Sequence, residues 1–311
     1  MFALMKRIKF VILFCFYLGF FSFSIGATPS NVRFSAYAVE DYSNYTGTKN
    51  LARSISHKNK FLNKLIVAIQ KKYPNVSTEI LYNRENSQAT SSAFKLDKTD
   101  STEIVFFAGH GNQQSLAFYD KSLSLDKGNK TFGKKTRWVF FDACLVLNVN
   151  KSGHLSEAMS AVSVDANRLT KMVNLFEGVH AILGNYGLGW QGNIKKHWYS
   201  SARWRTEDVY EYFAKYFIED GVSLWNAYSS SVKKVYNNFH NNAALGYSTG
   251  ISGYDSAIWY FYGVEANGNV VDMSEERFDF SYNAPVLLND TRFKSKSLKL
   301  RRLKIGKPKY E

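Results

Sequence analysis

The chain has 311 residues, 45% of them apolar, which is enough for one large domain with a sizeable core. Its two cysteines are Cys15 and Cys144, and only Cys144 lies outside the N-terminal segment, so an intrachain disulfide is excluded once that segment is removed. The net charge is +14, and residues Phe293 to Glu311, with eight Lys or Arg and one Glu, supply half of it.

The N-terminal segment has the layout of a secretory signal. A basic start is followed by an apolar stretch from Phe10 to Phe23 and by small residues up to Ala27. We therefore expect a signal peptide at 1–27, an α/β domain at 28–292 and a basic tail at 293–311. The expected location is secreted or periplasmic, with a mature form that does not span a membrane. An uncleaved N-terminal membrane anchor is the alternative.

Strand and helix patterns alternate along the rest of the chain. Apolar runs predict six strands, at Val32–Val39, Val76–Tyr82, Glu103–Gly109, Arg137–Asp142, Gly178–Leu183 and Ala257–Val264. Apolar residues at helical spacing predict helices at Ser56–Lys72, Leu155–Phe176, Thr206–Glu219 and Val222–Phe239. This alternation predicts an α/β fold with a mostly parallel sheet and helices on both faces. The segment between the third and fourth strands is predicted to be a hairpin or loop.

The third and fourth strands carry the chemistry. The third ends in His110-Gly111 and the fourth in Asp142-Ala143-Cys144. Open α/β sheets bind ligands at the carboxyl ends of their strands, so a histidine and a cysteine meet there if the strands are neighbours. An imidazole next to a thiol can remove its proton and generate a nucleophile, which predicts a Cys–His dyad. The alternative is a buried cysteine that packs as a small apolar side chain.

These strand ends resemble those of the caspase-like cysteine peptidases, which include caspases, legumains, gingipains and clostripain. The stretch Phe141–Leu145 is most similar to the clostripain group, and the resemblance covers residues 32–264. It implies a caspase-like three-layer sandwich around a six-stranded sheet, with His110 as acid–base and Cys144 as nucleophile. It also implies an oxyanion hole built from the main-chain N–H groups of Gly111 and Cys144. No cofactor or metal is implied, and the partner is a peptide or protein substrate.

Five residues are expected to contact the substrate. In the family the residue two before the cysteine commonly lines the primary specificity pocket, and here it is Asp142, which predicts a modest preference for Lys or Arg. The alternative is that Asp142 caps the next turn or bonds the loop after the first strand. Asn185 stands where clostripain-like relatives bring a second acidic residue. The remaining candidates are Asn112, Trp190 as a wall of the site, and Asp41, for which a plain turn is the alternative. Tyr42, the neighbour of Asp41, is expected to contribute to the same pocket, with the same alternative.

Three functions are compatible with these features. The first is an exported cysteine peptidase, and the second is a caspase-like binding module without activity. The third is attachment to an anionic surface through the basic tail. The alternative for this tail is an edge strand or a solvated extension without a binding role. No nucleic-acid motif accompanies the charge. Metal-ligand spacing is absent among His154, His180, His197 and His240, so these are interpreted as surface or core histidines, and His57 opens the first predicted helix.

Overall fold

The computed structural model describes residues 31–126, 132, 135–149, 165–187, 189, 191–195, 203–244, 253–279, 286–287 and 291–306. The predicted signal peptide lies outside these residues. The strands are β1 (Asn31–Ala38), β2 (Ser77–Glu85), β3 (Ile104–Ala108), β4 (Gly111–Asn112), β5 (Ser115–Ala117), β6 (Ser122–Ser124), β7 (Trp138–Asp142), β8 (Glu177–Gly178), β9 (Ala181–Asn185), β10 (Asn193–Lys195), β11 (Arg203–Arg205), β12 (Gly253–Glu265), β13 (Val270–Asp272), β14 (Val286–Leu287) and β15 (Phe293–Gly306). The helices are α1 (Ser54–Lys72), α2 (Ser91–Leu96), α3 (Ala166–Leu175), α4 (Asp208–Phe213) and α5 (Leu224–Ala244). A π-helical stretch, Ala214–Glu219, continues α4.

The main sheet has eight strands. Seven follow the order β13-β12-β9-β7-β3-β1-β2, and β15 pairs with β12. The pairs β1–β2, β1–β3, β3–β7 and β7–β9 are parallel, whereas β12 is antiparallel to each of its neighbours. The predicted α/β fold with a mostly parallel sheet is therefore confirmed. All six predicted strands are present, and β13 and β15 are added to them.

Both faces of the sheet are covered. Successive side chains of a strand point to opposite faces, and in β3 Phe106 packs on the face of α1, α4 and α5. Its neighbours Val105 and Phe107 pack on the other face, together with residues of α2 and α3. All five residues of β3 and of β7 are buried, which explains why each is almost entirely apolar.

The basic C-terminal segment forms a sheet strand over most of its length. β15 pairs with β12 in antiparallel register from Gly253–Gly306 to Glu265–Phe293. Its arginines bind acidic neighbours, Arg301 with Glu275 and Arg302 with Asp255. Positive side chains on an edge strand discourage unwanted pairing with other chains.

Two further regions differ from the sequence prediction in their extent or their internal structure. The segment between β3 and β7 includes a small antiparallel sheet of β4, β5 and β6. The helix predicted at Leu155–Phe176 is described as α3 from Ala166, with residues 150–164 outside the described part. None of the described helices combines the length and apolar character needed to cross a membrane.

Candidate active site

The pairing of β3 with β7 brings the two predicted site strands side by side. Ala108 is in register with Asp142, so His110 and Cys144 both follow the same end of adjacent parallel strands. They line one pocket of about 90 Å³. The other lining residues are Leu51, Gly109, Asp142, Ala143, Asn185, Gly189 and Gln191.

His110 is held by one hydrogen bond at its ring and by another at its main chain. Its Nε2 lies 2.7 Å from the carbonyl oxygen of Lys49, which can only accept, so Nε2 carries a proton and, in the neutral ring, Nδ1 is the acceptor. The main-chain N–H of His110 donates to the hydroxyl of Tyr42 at 2.7 Å, and the two rings lie 4.6 Å apart between centroids. The Lys49 carbonyl was not found from the sequence, whereas Tyr42 was a candidate from its position after the first strand. They fix both the position and the tautomer of the candidate base.

The thiol of Cys144 is protonated in the unliganded chain. Burial raises its pKa, and the nearby charge of Asp142 adds to that effect. Sγ lies 3.5 Å from the Gly189 carbonyl oxygen, to which the thiol donates. A thiolate at Cys144 therefore requires a base that removes this proton.

The backbone after Cys144 turns sharply. Leu145 has a φ of +59°, a left-handed conformation that is costly for a side chain of this kind. Its N–H donates to the carbonyl of Gly187 at 2.9 Å, and the N–H of Leu147 donates to Asn185 at 3.3 Å. The segment after β9 thus holds the turn that presents the thiol.

Gly111 lies tightly against this turn. An added Cβ would lie 2.7 Å from Val146 Cγ2 and 2.8 Å from Ala143 Cβ, so only glycine allows this approach. The carbonyl of His110 accepts from Ala117, and the alternation of an antiparallel ladder then makes Gly111–Leu116 a non-hydrogen-bonded pair. The N–H of Gly111 is therefore directed away from β5, as an oxyanion donor requires.

Asp142 lines the pocket and also binds the helix after the first strand. Its Oδ2 is in close contact with Nδ1 of His57 and accepts from the hydroxyl of Tyr210 at 2.9 Å. The other ring nitrogen of His57 lies 2.7 Å from Thr206 Oγ1 and 3.6 Å from Glu207. A buried His–carboxylate pair thus lies behind the pocket, and the histidine belongs to helix α1 and not to the loop after the first strand.

His57 is the site neighbour that sequence reasoning passed over. It is a core histidine, 2% exposed, on the face of α1 that also carries Phe61 and Leu65. A spacing of four residues along that apolar face was the available signal that His57 points at the sheet.

Asn185, the last residue of β9, is the second predicted substrate contact at the pocket. It is 1% exposed, and its Oδ1 accepts from the hydroxyl of Tyr254. Gln191 adds a second amide, with Nε2 at 3.5 Å from the Asp142 carbonyl and Oε1 accepting from Ser54.

Asn112 and Asp41 are not among the described residues that line this pocket. Asn112 is exposed, and its Oδ1 accepts from the N–H of Gln113. Asp41 lies in a turn in which its carboxylate accepts from the N–H of Ser43. Trp190 lies outside the described residues. Within the described part of the chain, no group of His, Cys, Asp or Glu is arranged to hold a metal ion.

The solved structures that are similar to this chain include the following two. The crystal structure of the Arg-specific cysteine proteinase gingipain R matches with a TM-score of 0.40 and 10% identity, over 80% of this chain and 61% of that one. A complex of the pro- and mature domains of RgpB from Porphyromonas gingivalis matches with a TM-score of 0.38 and 11% identity, over 86% and 67%. This chain thus spans about three fifths of the gingipain R chain. No protein-family model matches the sequence, and no curated protein matches it.

Proposed function

We propose that this chain is a caspase-like cysteine peptidase in which Cys144 is the nucleophile and His110 the acid–base. One observation carries the proposal. The Lys49 carbonyl binds Nε2 of an imidazole that lines the same pocket as the one described thiol, which leaves Nδ1 to accept a proton. The strand-end motifs that resemble this family lie at these two residues.

The reaction follows from these groups. Nδ1 of His110 takes the thiol proton as Sγ attacks the scissile carbonyl carbon, and a C–S bond forms while the carbonyl oxygen becomes an oxyanion. The N–H of Gly111 is the candidate donor to that oxyanion. As the C–N bond breaks, His110 returns the proton to the leaving amine. Water then adds to the thioester with His110 as base, which releases the acid and restores the thiol.

A binding module without turnover is the second candidate, and the state of the thiol favours it. The pKa of Cys144 is raised and its thiol donates a hydrogen bond to Gly189, and both favour the unreactive protonated form. Under this reading the pocket would bind a peptide segment and leave it intact.

Hydrolysis of a peptide library distinguishes the two candidates. The peptidase proposal expects cleavage by the wild-type chain and none by Cys144→Ala, with both proteins folded. Cleavage that persists in Cys144→Ala would show that the thiol is not the nucleophile. A folded wild-type chain that binds library peptides without cleaving them would favour the binding module.

Export is part of the proposal and rests on the layout of residues 1–27. Expression of the full chain followed by N-terminal sequencing of the mature protein tests it. A new N-terminus near Ala27 is expected, whereas retention of Met1 in a membrane fraction would favour the anchor.

A further inference from the structure

The strand β15 forms one edge of the main sheet. It pairs with β12 along one side, and no described strand pairs with it along the other. Its register is regular from Gly306, opposite Gly253, to Ser295, opposite Val264. At the other edge of the sheet, the pairing of β2 with β1 shifts register once, as at a β-bulge. Bulges protect an edge from further strands, and the regular part of β15 has none.

The outer side of β15 presents main-chain groups that point away from β12. The carbonyl of Asp255 and the N–H of Phe261 bond to the residues that flank β9, so the odd-numbered residues of β12 face β9. Opposite such residues, in the middle of β15, lie Leu298, Leu300 and Arg302. The alternation of an antiparallel ladder therefore directs their N–H and C=O groups outward. Within the part of the chain that the structure describes, no main-chain group bonds to them from that side.

The two faces of this edge differ in chemistry. Leu298 and Leu300 are half-buried and pack against the core on the face of α2 and α3. Lys299 and Arg301 project to the opposite face, where the Lys299 ammonium lies 3.1 Å from the centre of the Tyr262 ring. β15 as a whole has six Lys or Arg and no acidic residue. A strand added here would meet leucines on one face and cations on the other.

We propose that β15 is a docking edge for an extended peptide segment in which apolar and acidic residues alternate. The segment adds to the sheet as a further strand, and its main chain bonds to the outward groups of Leu298, Leu300 and Arg302. Its apolar side chains lie opposite the two leucines, and its Asp or Glu side chains lie opposite Lys299 and Arg301. This docking is independent of the peptidase function.

Two other occupants match this edge less well. A second copy of the chain would bring the cations of one β15 against those of the other, and like charges on opposed strands are destabilising. A polyanion such as heparin has no peptide main chain to pair with the strand. Part of the charge that it needs is also occupied, because Arg301 is bound by Glu275 and Arg302 by Asp255.

Fluorescence anisotropy with a labelled peptide, Val-Glu-Val-Glu-Val-Glu, and the full chain tests the proposal. We expect equal binding to wild type and Cys144→Ala, because no residue of β15 lines the pocket. The order Val-Val-Val-Glu-Glu-Glu keeps the charge but removes the alternation, and should bind at least about tenfold more weakly through the loss of several cross-strand contacts. Equal affinity for the two peptides, or no binding of either, would overturn the proposal. Neither result bears on the peptidase.

A charge reversal on the edge sharpens the test. Lys299→Glu should weaken binding of the Val-Glu peptide by about fivefold and strengthen binding of Val-Lys-Val-Lys-Val-Lys by a similar factor. Lys95→Glu makes the same change at an exposed position of α2 and should alter neither affinity. Equal effects of the two variants would show attraction to the net charge of the chain and would overturn the proposal.

A proline on the edge tests the main-chain contacts. Leu300→Pro removes an outward N–H without removing a bond to β12, and should weaken binding by about tenfold. Unchanged binding in the folded variant would contradict docking at this edge. A wild-type dimer in sedimentation that Leu300→Pro dissociates would assign the edge to a second copy instead. If this variant does not fold, the comparison of Lys299→Glu with Lys95→Glu still decides.

Discussion

β7 has a buried His–carboxylate pair at each end, and the two pairs differ in what they leave unused. Near its start, Glu276 binds His180 at 2.8 Å and Arg137 through Oε1, and Trp138 at 2.7 Å through Oε2. At its end, Asp142 binds His57 and Tyr210 through Oδ2 alone. Both carboxylate oxygens accept at the first end, whereas at the second end, beside a thiol, Asp142 Oδ1 receives no donor from the part of the chain that the structure describes.

This difference separates groups that stabilise the fold from groups that can react. Burial alone raises the pKa of Glu276, but the charges of His180 and Arg137 outweigh burial and hold it at about 2. Such a carboxylate stays charged and paired, which ties the segment after β13 to the sheet. The pocket end instead holds the Cys144 thiol and the His110 imidazole, which are the candidate reacting groups.

The largest expected effect is on stability at the closed end. Glu276→Gln leaves Arg137 and His180 without their buried counter-charge and should lower the free energy of unfolding by about 3–5 kcal/mol. Turnover per folded molecule should not change. Urea unfolding measures the loss, and Glu275→Gln, which affects an exposed pair with Arg301, is the matched control at less than about 1 kcal/mol. Equal losses in both variants would contradict the assignment.

The same end predicts an acid-dependent loss of stability. The folded pKa of Glu276 is below its unfolded value of 4.5, so its contribution is complete above pH 4.5 and disappears as the pH falls toward 2. The difference in pKa corresponds to about 3 kcal/mol. Unfolding of wild type and Glu276→Gln should therefore converge over this range. A gap that stays constant from pH 6 to pH 2 would show that Glu276 does not titrate there.

At the open end we expect the opposite separation. His110→Ala should lower turnover by at least about a hundredfold, the low end of general acid–base contributions, with little change in stability because the imidazole is partly exposed. Steady-state kinetics and thermal unfolding measure the two effects. Turnover within about threefold of wild type would exclude His110 as the acid–base, since even a weak contribution exceeds that.

A smaller effect tests the contact between Gly111 and the turn after Cys144. Gly111→Ala should cost about 1–3 kcal/mol through overpacking against Ala143 and Val146, and should also lower turnover by shifting the thiol. Gly268→Ala is the control. Gly268 lies in the turn between β12 and β13 with a φ of +92°, and an added Cβ there would meet no atom within 4 Å. It should cost stability through its backbone without any effect on turnover.

The sequence was sufficient for the strands and the dyad candidates because their signals are local. The apolar runs of β3 and β7 end at His110 and Cys144, and parallel pairing then places both residues at one edge. β15 was harder to predict, since its cations resemble a solvated tail and its pairing with β12 is a long-range contact. The Lys49 carbonyl was not predictable in this way, because any residue type supplies a carbonyl.

Covalent labelling of Cys144 by a peptidyl acyloxymethyl ketone, followed by intact-mass measurement, tests the central claim most directly. The thiol displaces the acyloxy group to form a thioether, and the increase in intact mass shows whether a given variant has reacted. We expect one adduct on wild type, none on Cys144→Ala, and labelling of His110→Ala at least about a hundredfold slower. Labelling at the same rate in wild type and His110→Ala, or an adduct on Cys144→Ala, would contradict a dyad of Cys144 and His110.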